Sequence, residues 1–380
     1  MDFHLTDEQI EIQQTVRKFA KNEIAPIAEQ IDAEDRFPAE LFKKMGEMGL
    51  MGIVIPEEYG GTGAGVVTFC VVGEEIGWAS ASVALSYGTS SVLCAHNLAS
   101  NCSEEQKRQY LPALASGEKI GAIAMTEPEA GSDVLSMRTF AEKRGDEYIL
   151  NGTKTFITNG SVADVILLYA RTDKDAGPRG ISAFIVENTF PGFSVGKEFK
   201  KMGMRGSATS ELVFEDCRVP AENLIGQENG GLRILMSGLD VERAVGGSLC
   251  VGIARAAFEA SVKYAKERAQ FGQPLITFQM IGAMLANMST DIEAARLLTF
   301  KSAAMCDEGV RATVEASHAK LFGAEAAMRV TTDAVQIHGG YGYMQEFGVE
   351  RLMRDAKLMS IGGGTSQVQQ LIIMRELMKE

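Results

Sequence analysis

Two short runs gather small hydroxyl side chains between glycines and prolines: MTEPEAGSD at residues 125–133 and KTFITNG at residues 154–160. In the first, Thr126 and Ser132 flank a passage that Pro128, Ala130 and Gly131 hold open; in the second, Thr158 lies two residues from the aromatic Phe156. Taken singly, such hydroxyls usually serve turns and caps. Arg268, in ERAQFGQ, carries the planar fork that grips phosphate through two parallel hydrogen bonds. Further on, QIHGGYGY and IGGGTSQ supply Gly339 and Gly340, then Gly362, Gly363 and Gly364, where backbone can approach a ligand closely or turn with positive φ. Glu242 and Arg243 are adjacent in LDVERAV, so on a helix they project about 100° apart and can serve different regions of a ligand. These residue types could hold phosphate and could move a proton through a carboxylate.

The elements that must position them read as helix, strand, helix. Thr6 and Gln9 form a capping box, and Ile12, Val16, Phe19 and Glu23 continue a helical spacing to Pro26. Helical periodicity with Gly and Pro punctuation then runs to about residue 120. From 121 to 230 the pattern becomes short β-branched and aromatic runs bounded by turn residues: EYIL, VILLYA, ISAFIVE and ELVFED. The 3.6 period returns in Val245, Leu249, Ile253, Ala257, Ala260 and Tyr264, and again in Ile281, Leu285, Met288, Ile292 and Ala295. Long helices of this kind pack as a bundle. Without a repeat or low-complexity linker, three parts are expected in one subunit: 1–120, 121–230 and 231–380.

The chain has 380 residues, 46% of them hydrophobic, enough for large cores. Its net charge of −13 argues against a nucleic-acid partner, which needs clustered Lys and Arg. Six scattered cysteines and four histidines lack the spacing of a metal or dithiol site, and the thiols are expected to be reduced. Met1 leads into DFHLTDEQ without a signal or transit pattern, and no uninterrupted apolar run approaches a membrane span, so a cytoplasmic location is expected. The 19 methionines read as core filler.

Taken together and in this order, the motifs resemble the acyl-CoA dehydrogenase flavoenzymes, over essentially the whole chain from LTDEQ and PEEYGG to the helix after GGGTSQ. The resemblance implies an α+β fold with an N-terminal helical domain, a central antiparallel β domain and a C-terminal four-helix bundle. It also implies FAD, an acyl-CoA substrate, an electron-transfer flavoprotein as acceptor, and a homotetramer. Carried over by position, Met125, Thr126 and Ser132 fall at the flavin and its phosphates, Phe156 lies against the ring and Thr158 reaches N5. Arg268, Phe271 and Gln279 bind diphosphate and adenosine across a subunit boundary, and Gln336, Gly339, Gly340, Thr365 and Gln367 complete that site. Asp240 and Arg243 match holders of the pantetheine arm, and Met202 to Ser207 match a loop near the substrate.

One departure is informative. Many members carry their base in a Tyr-Glu-Gly-Thr run, where this chain has Gly362, Gly363, Gly364 and Thr365. Isovaleryl-CoA dehydrogenase and a few relatives lack that Glu too and place the base where Glu242 stands. Glu242 is therefore expected to take the α-proton, and the N–H of Gly363 to donate to the thioester carbonyl. The small residues at 362–364 favour a branched or alicyclic acyl group. An oxidase or reductase on the same scaffold, and an inactive flavin or CoA-binding homologue, are the alternatives.

Overall fold

The computed structural model describes residues 4–379. The first third holds α1 (Asp7–Phe19), α2 (Ala28–Glu34), α3 (Ala39–Glu47), α4 (Gly65–Ala79), α5 (Ala81–Gly88), α6 (Asn97–Asn101) and α7 (Glu104–Ala115). The expected capping box opens α1: Gln9 N donates to Thr6 Oγ1 at 3.2 Å, and Thr6 N donates to Gln9 Oε1 at 3.1 Å. Ser103 and Gln106 repeat the device at α7. Beyond Phe19 the helix widens to a π-helix over Ala20–Ile24 before Pro26, and a second π-helical stretch, Thr89–His96, joins α5 to α6.

The strands β1 (Gly121–Ala124), β2 (Phe140–Arg144), β3 (Glu147–Thr158), β4 (Val165–Arg171), β5 (Ile181–Glu187), β6 (Phe193–Glu198), β7 (Thr209–Pro220) and β8 (Leu224–Ile225) form one sheet. Its order is β6-β7-β3-β2-β4-β5-β8, with β1 added to β4. The sheet is antiparallel except that β1 runs parallel to β4, and β2 meets β4 in parallel at Phe140 and Arg171. The cause is topological: β2 and β3 make a hairpin, so β4 emerges running in the direction of β2. Along β4, Ile166, Leu168 and Ala170 enter one core with Leu150, Phe184 and Phe214, while Val165, Leu167 and Tyr169 enter another with Leu111, Leu114 and Ile181. Burial on both faces is why VILLYA is continuously apolar rather than alternating.

The last third begins with α8 (Gly231–Glu267) and a small hairpin of β9 (Ala269–Gln270) and β10 (Gln273–Pro274). Then follow α9 (Gln279–Asp307), α10 (Thr313–His338), α11 (Val349–Met359) and α12 (Ser366–Leu377). Helices α8, α9, α10 and the shorter α11 make the four-helix arrangement, with α12 laid along α10. The periodic residues Leu249, Ile253, Ala257, Leu285, Met288, Ile292 and Ala295 are buried, and each large one contributes about 1.5–3 kcal/mol over exposure. By length and composition α8 could also cross a membrane, but 61% of its apolar stretch is buried inside the protein.

A buried ionic network joins the first and last thirds. Arg255 of α8 reaches Glu74 at 2.8 Å and Glu75 at 2.6 Å, Arg296 of α9 reaches Glu74 at 2.9 Å, and Arg17 of α1 reaches Glu75 at 2.8 Å. Removing one partner of such a set strands a buried charge, so the network holds α8 firmly against α4.

Candidate active site

The start of α8 is fixed against the sheet, because Gly231 touches β5 backbone to backbone: a Cβ there would fall 2.7 Å from the carbonyl carbon of Ser182. Glu242 lies about three turns further on. It faces the glycine loop that joins α11 to α12, where Gly363 and Gly364 have φ of 63° and 81°. A Cβ on Gly363 would stand 3.4 Å from Glu242 Oε1 and 3.6 Å from Lys320 Cε. Glu242 and Gly363 are thus brought together, and Lys320, which the sequence reading did not single out, joins them.

Four hydrogen bonds from three residues pin this loop. Lys320 Nζ donates to Met359 O at the end of α11, Gln369 Nε2 donates to Gly363 O at 3.3 Å and to Gly364 O at 3.2 Å, and Ser366 N donates to Ser360 O at 3.1 Å. The Gly363 N–H has no acceptor among the described residues, so it remains an available donor. Thr365 is the N-cap of α12, its Oγ1 accepting from Val368 N at 3.1 Å.

Burial pushes the Glu242 carboxyl above the ordinary carboxylate range, while the charges of Arg243 and Lys320 act in the opposite sense. Burial likewise lowers the Lys320 amine. Tyr169, fully buried on β4, is raised by desolvation and next by the charge of Glu242. A carboxylate whose proton affinity is raised by a dry site is suited to taking a proton from carbon.

One turn of α8 away from Glu242 opens a cavity of about 840 Å³. Five cations line it, Arg233, Arg243, Arg311, Arg375 and Lys379, against the two carboxylates Asp240 and Glu376. Asp240 accepts from Arg243 at 3.2 Å and from the Thr313 hydroxyl at 2.9 Å. Asp240 and Arg243 therefore sit together as expected. The other arginines come from distant parts of the chain without a local motif, which is why the sequence did not mark them.

The two hydroxyl runs meet on the sheet. Thr155 N donates to Thr126 O at 2.9 Å, and the buried Lys154 donates to Glu127 Oε1 at 2.8 Å and to Met125 O at 3.0 Å. Burial lowers the Lys154 amine to about 8; in Glu127, burial is outweighed by Lys154 and the neighbouring N–H groups, which hold its carboxyl low. Between Lys154 and Ile157 the pairing of β3 with β7 shifts register, and Phe156 there has φ of 57°. This bulge turns Phe156 outward, 64% exposed, with Phe199 at 5.0 Å. Thr158 is half-buried at the end of β3, and Ser132 is exposed in the loop after β1.

A separate group forms at the far end of α8. The Arg268 guanidinium lies 5.6 Å over the Tyr341 ring, beside Gly339 and Gly340, while Phe271, 92% exposed, packs edge-on to Phe278 at 6.1 Å next to Gln279. Gln336 belongs here. Thr365 and Gln367 do not: they follow the glycine loop near Lys320, and Gln336 is sixteen residues, about 24 Å, further along α10. His338 is buried against Tyr264 at 4.2 Å with Nδ1 bonded to Ala334 O, a structural role. The loop Met202 to Ser207 is tied to α11 through Met204 N, which donates to Asp355 Oδ1.

An exposed aromatic on a strained bulge with hydroxyls in the same runs fits a flavin ring and its polar edges, and the exposed arginine fork at the far end of α8 fits a diphosphate. Sequence comparison agrees over nearly the whole chain. Residues 6–118, 122–217 and 229–378 match the N-terminal, middle and C-terminal domains of acyl-CoA dehydrogenase. The chain belongs to the acyl-CoA dehydrogenase family, FAD-dependent oxidoreductases. It is 48% identical over 379 residues to the short-chain specific acyl-CoA dehydrogenase of Clostridium acetobutylicum, covering 100% of each. It is also 48% identical to the mitochondrial isovaleryl-CoA dehydrogenase of Pongo abelii, over 98% of this chain and 89% of that one. A chain from the solved structure of the electron transferring flavoprotein of Acidaminococcus fermentans superposes with a TM-score of 0.99 at 44% identity, covering 100% of both.

Proposed function

We propose that this enzyme oxidises a short branched acyl-CoA of the isovaleryl type to its 2-enoyl-CoA and passes the electrons to an electron-transfer flavoprotein. The observation that carries the reading is the desolvated Glu242 carboxylate facing a side-chain-free Gly363. Glu242 takes the α-proton, and the Gly363 N–H donates to the thioester oxygen, where negative charge develops. FAD, when bound, would supply the two-electron acceptor for the hydride lost from the β-carbon, so that a carbon–carbon double bond remains. Met125, Thr126, Ser132, Phe156 and Thr158 would hold and cover the flavin ring. The cationic cavity takes the phosphate-bearing arm of CoA, for which arginine forks are suited, and Asp240 with Arg243 orients the arm as it nears Glu242. The likeness to a chain in a structure of an electron transferring flavoprotein supports the acceptor.

Glu242 and Arg268 are 26 residues apart on one helical axis, about 39 Å. That exceeds the span of one dinucleotide, so Arg268, Phe271, Gln279, Gln336, Gly339 and Gly340 serve a flavin whose ring lies in another subunit. The exposed Phe271, Met280 and Tyr343, between 80% and 92% accessible, supply an apolar surface for that contact, in keeping with a homotetramer.

The absence of bulk at 362–364 favours branching near the β-carbon. A straight short chain is the second reading, since the short-chain specific relative is as similar as the isovaleryl-CoA dehydrogenase. Measuring kcat/KM for isovaleryl-, isobutyryl-, cyclohexanecarboxyl-, butyryl- and octanoyl-CoA tests both. Isovaleryl-CoA is expected to lead butyryl-CoA by about 10-fold to 200-fold, the worth of a methylene in an apolar pocket. A lead for butyryl-CoA selects the second reading, and one for octanoyl-CoA removes both.

A further inference from the structure

Lys320 is a buried cation that the chemistry above does not use. It is 3% exposed, lies on α10 and has no carboxylate within ion-pair distance among the described residues. Its place is set by close helix packing. Gly323, three residues on, brings α10 against α8, where a Cβ would fall 3.3 Å from Cys250 Cβ and 3.7 Å from Gly247 Cα. The Lys320 stem then lies across Gly246, 3.8 Å from where a Cβ would be. Gly246 is four residues after Glu242, on the same helical face. From there Lys320 Cε comes within 3.6 Å of the Cβ position of Gly363, and Nζ caps the last carbonyl of α11 at Met359. The side chain is threaded between the carboxylate helix and the glycine loop.

We propose that Lys320 is a positioning residue for the reaction: its ammonium group locks the glycine loop through Met359 O and places a second positive charge, besides that of Arg243, beside the Glu242 carboxylate. A helix C-terminus is negatively polarised, so a cation there is stabilised and remains a cation despite burial. The charged and titratable groups acting on Glu242 are Arg243 on its own helix and Lys320 on α10, and it acts in turn on Tyr169 of β4. Those acting on Lys320 are Cys250 and Glu242 on α8 and Glu325 on α10. Glu325 is held by the Ser366 hydroxyl at 2.7 Å, turned to α12. Arg243, the larger of the two charges acting on Glu242, is shared with Asp240 and faces the cavity, while Lys320 lies on the side of the glycine loop.

The inference rests on Glu242 being the base, and its test separates the two. Lys320→Gln retains an N–H donor for Met359 O but no charge, Lys320→Met loses both, and Lys320→Arg keeps the charge. On the FAD-loaded full-length enzyme, the acid limb of kcat/KM for isovaleryl-CoA and butyryl-CoA is recorded. The Glu242 carboxyl is titrated independently by difference infrared spectroscopy, with Glu242→Gln as baseline. The Gln and Met variants are expected to move both titrations up by about one pH unit or more, the usual effect of losing a close opposite charge. The Arg variant is expected to stay near wild type. If Lys320→Met does not fold, the Gln variant, which keeps the cap, carries the comparison. Unmoved titrations in Lys320→Gln overturn the proposal and leave Lys320 a cap alone. Full turnover in Glu242→Gln instead overturns the base assignment.

Discussion

Glu242 Oε1 stands 3.4 Å from the point a Cβ on Gly363 would occupy, so the carboxylate of α8 and the backbone of the glycine loop look onto one small space. Glu242→Gln preserves shape and removes the proposed proton acceptor. It is expected to keep FAD and bind acyl-CoA while kcat falls by about 10²-fold to 10⁴-fold, as for a lost general base. Stopped-flow bleaching of the flavin by acyl-CoA checks this, and bleaching at the wild-type rate would move the base elsewhere. Because burial raises the Glu242 carboxyl and the base must be ionised, kcat/KM of the wild type should rise with pH through a limb above the ordinary glutamate value of about 4.3.

Gly363→Ala tests the loop backbone. At φ of 63° a side chain is strained, and the expected loss of stability is about 1–2 kcal/mol. Its Cβ would also enter the space in front of Glu242, so KM should rise for branched substrates. Equal stability and kinetics would show that the loop adapts freely.

Asp355 is buried on α11, and desolvation lifts its carboxyl to about 7 even though it accepts from Met204 N. The folded state therefore holds a proton that the unfolded chain, near 3.9, releases earlier. Stability is greatest below pH 4 as far as this group is concerned, and declines as pH rises from about 4 to 7, by about 4 kcal/mol in all. Asp355→Asn keeps an acceptor for Met204 and should flatten that decline. Urea unfolding of both proteins across this pH range measures the difference, and parallel curves would count against the assignment.

Glu127→Ala leaves the fully buried Lys154 without its partner. The expected cost is about 3–5 kcal/mol. Since Lys154 also ties down Met125 O, FAD should dissociate at lower denaturant than in the wild type, read as release of flavin fluorescence. Flavin release coincident with the wild type would detach this ion pair from the cofactor site.

The order of helix, sheet and helix was legible because period 3.6 and β-branched runs report burial directly: Leu249, Ile253 and Ile292 are buried where the spacing puts them. The parallel pairing of β1 was not, since a four-residue strand pairs with one more than forty residues away and carries no signal of direction. At the site, Glu242 and Gly363 could be matched from two local motifs. Lys320 could not, because its partner is a backbone carbonyl, and any residue type offers one. Arg233, Arg311 and Arg375 converge only once α8 and α12 close around the cavity. Phe156 was marked by its motif, but the bulge that turns it out of the core was invisible in composition.

The length of α8 has a genetic consequence. On the reading proposed above, one unbroken helix puts the proton acceptor about three turns from its start and the diphosphate arginine just past its end, so each copy of the chain completes a centre it does not itself own. An allele with Glu242→Gln and an allele with Arg268→Ala, both inactive alone, would then yield some intact centres when expressed together in one cell. Mixed assemblies would regain part of the lost activity, and the two defects would behave as complementing mutations within a single gene.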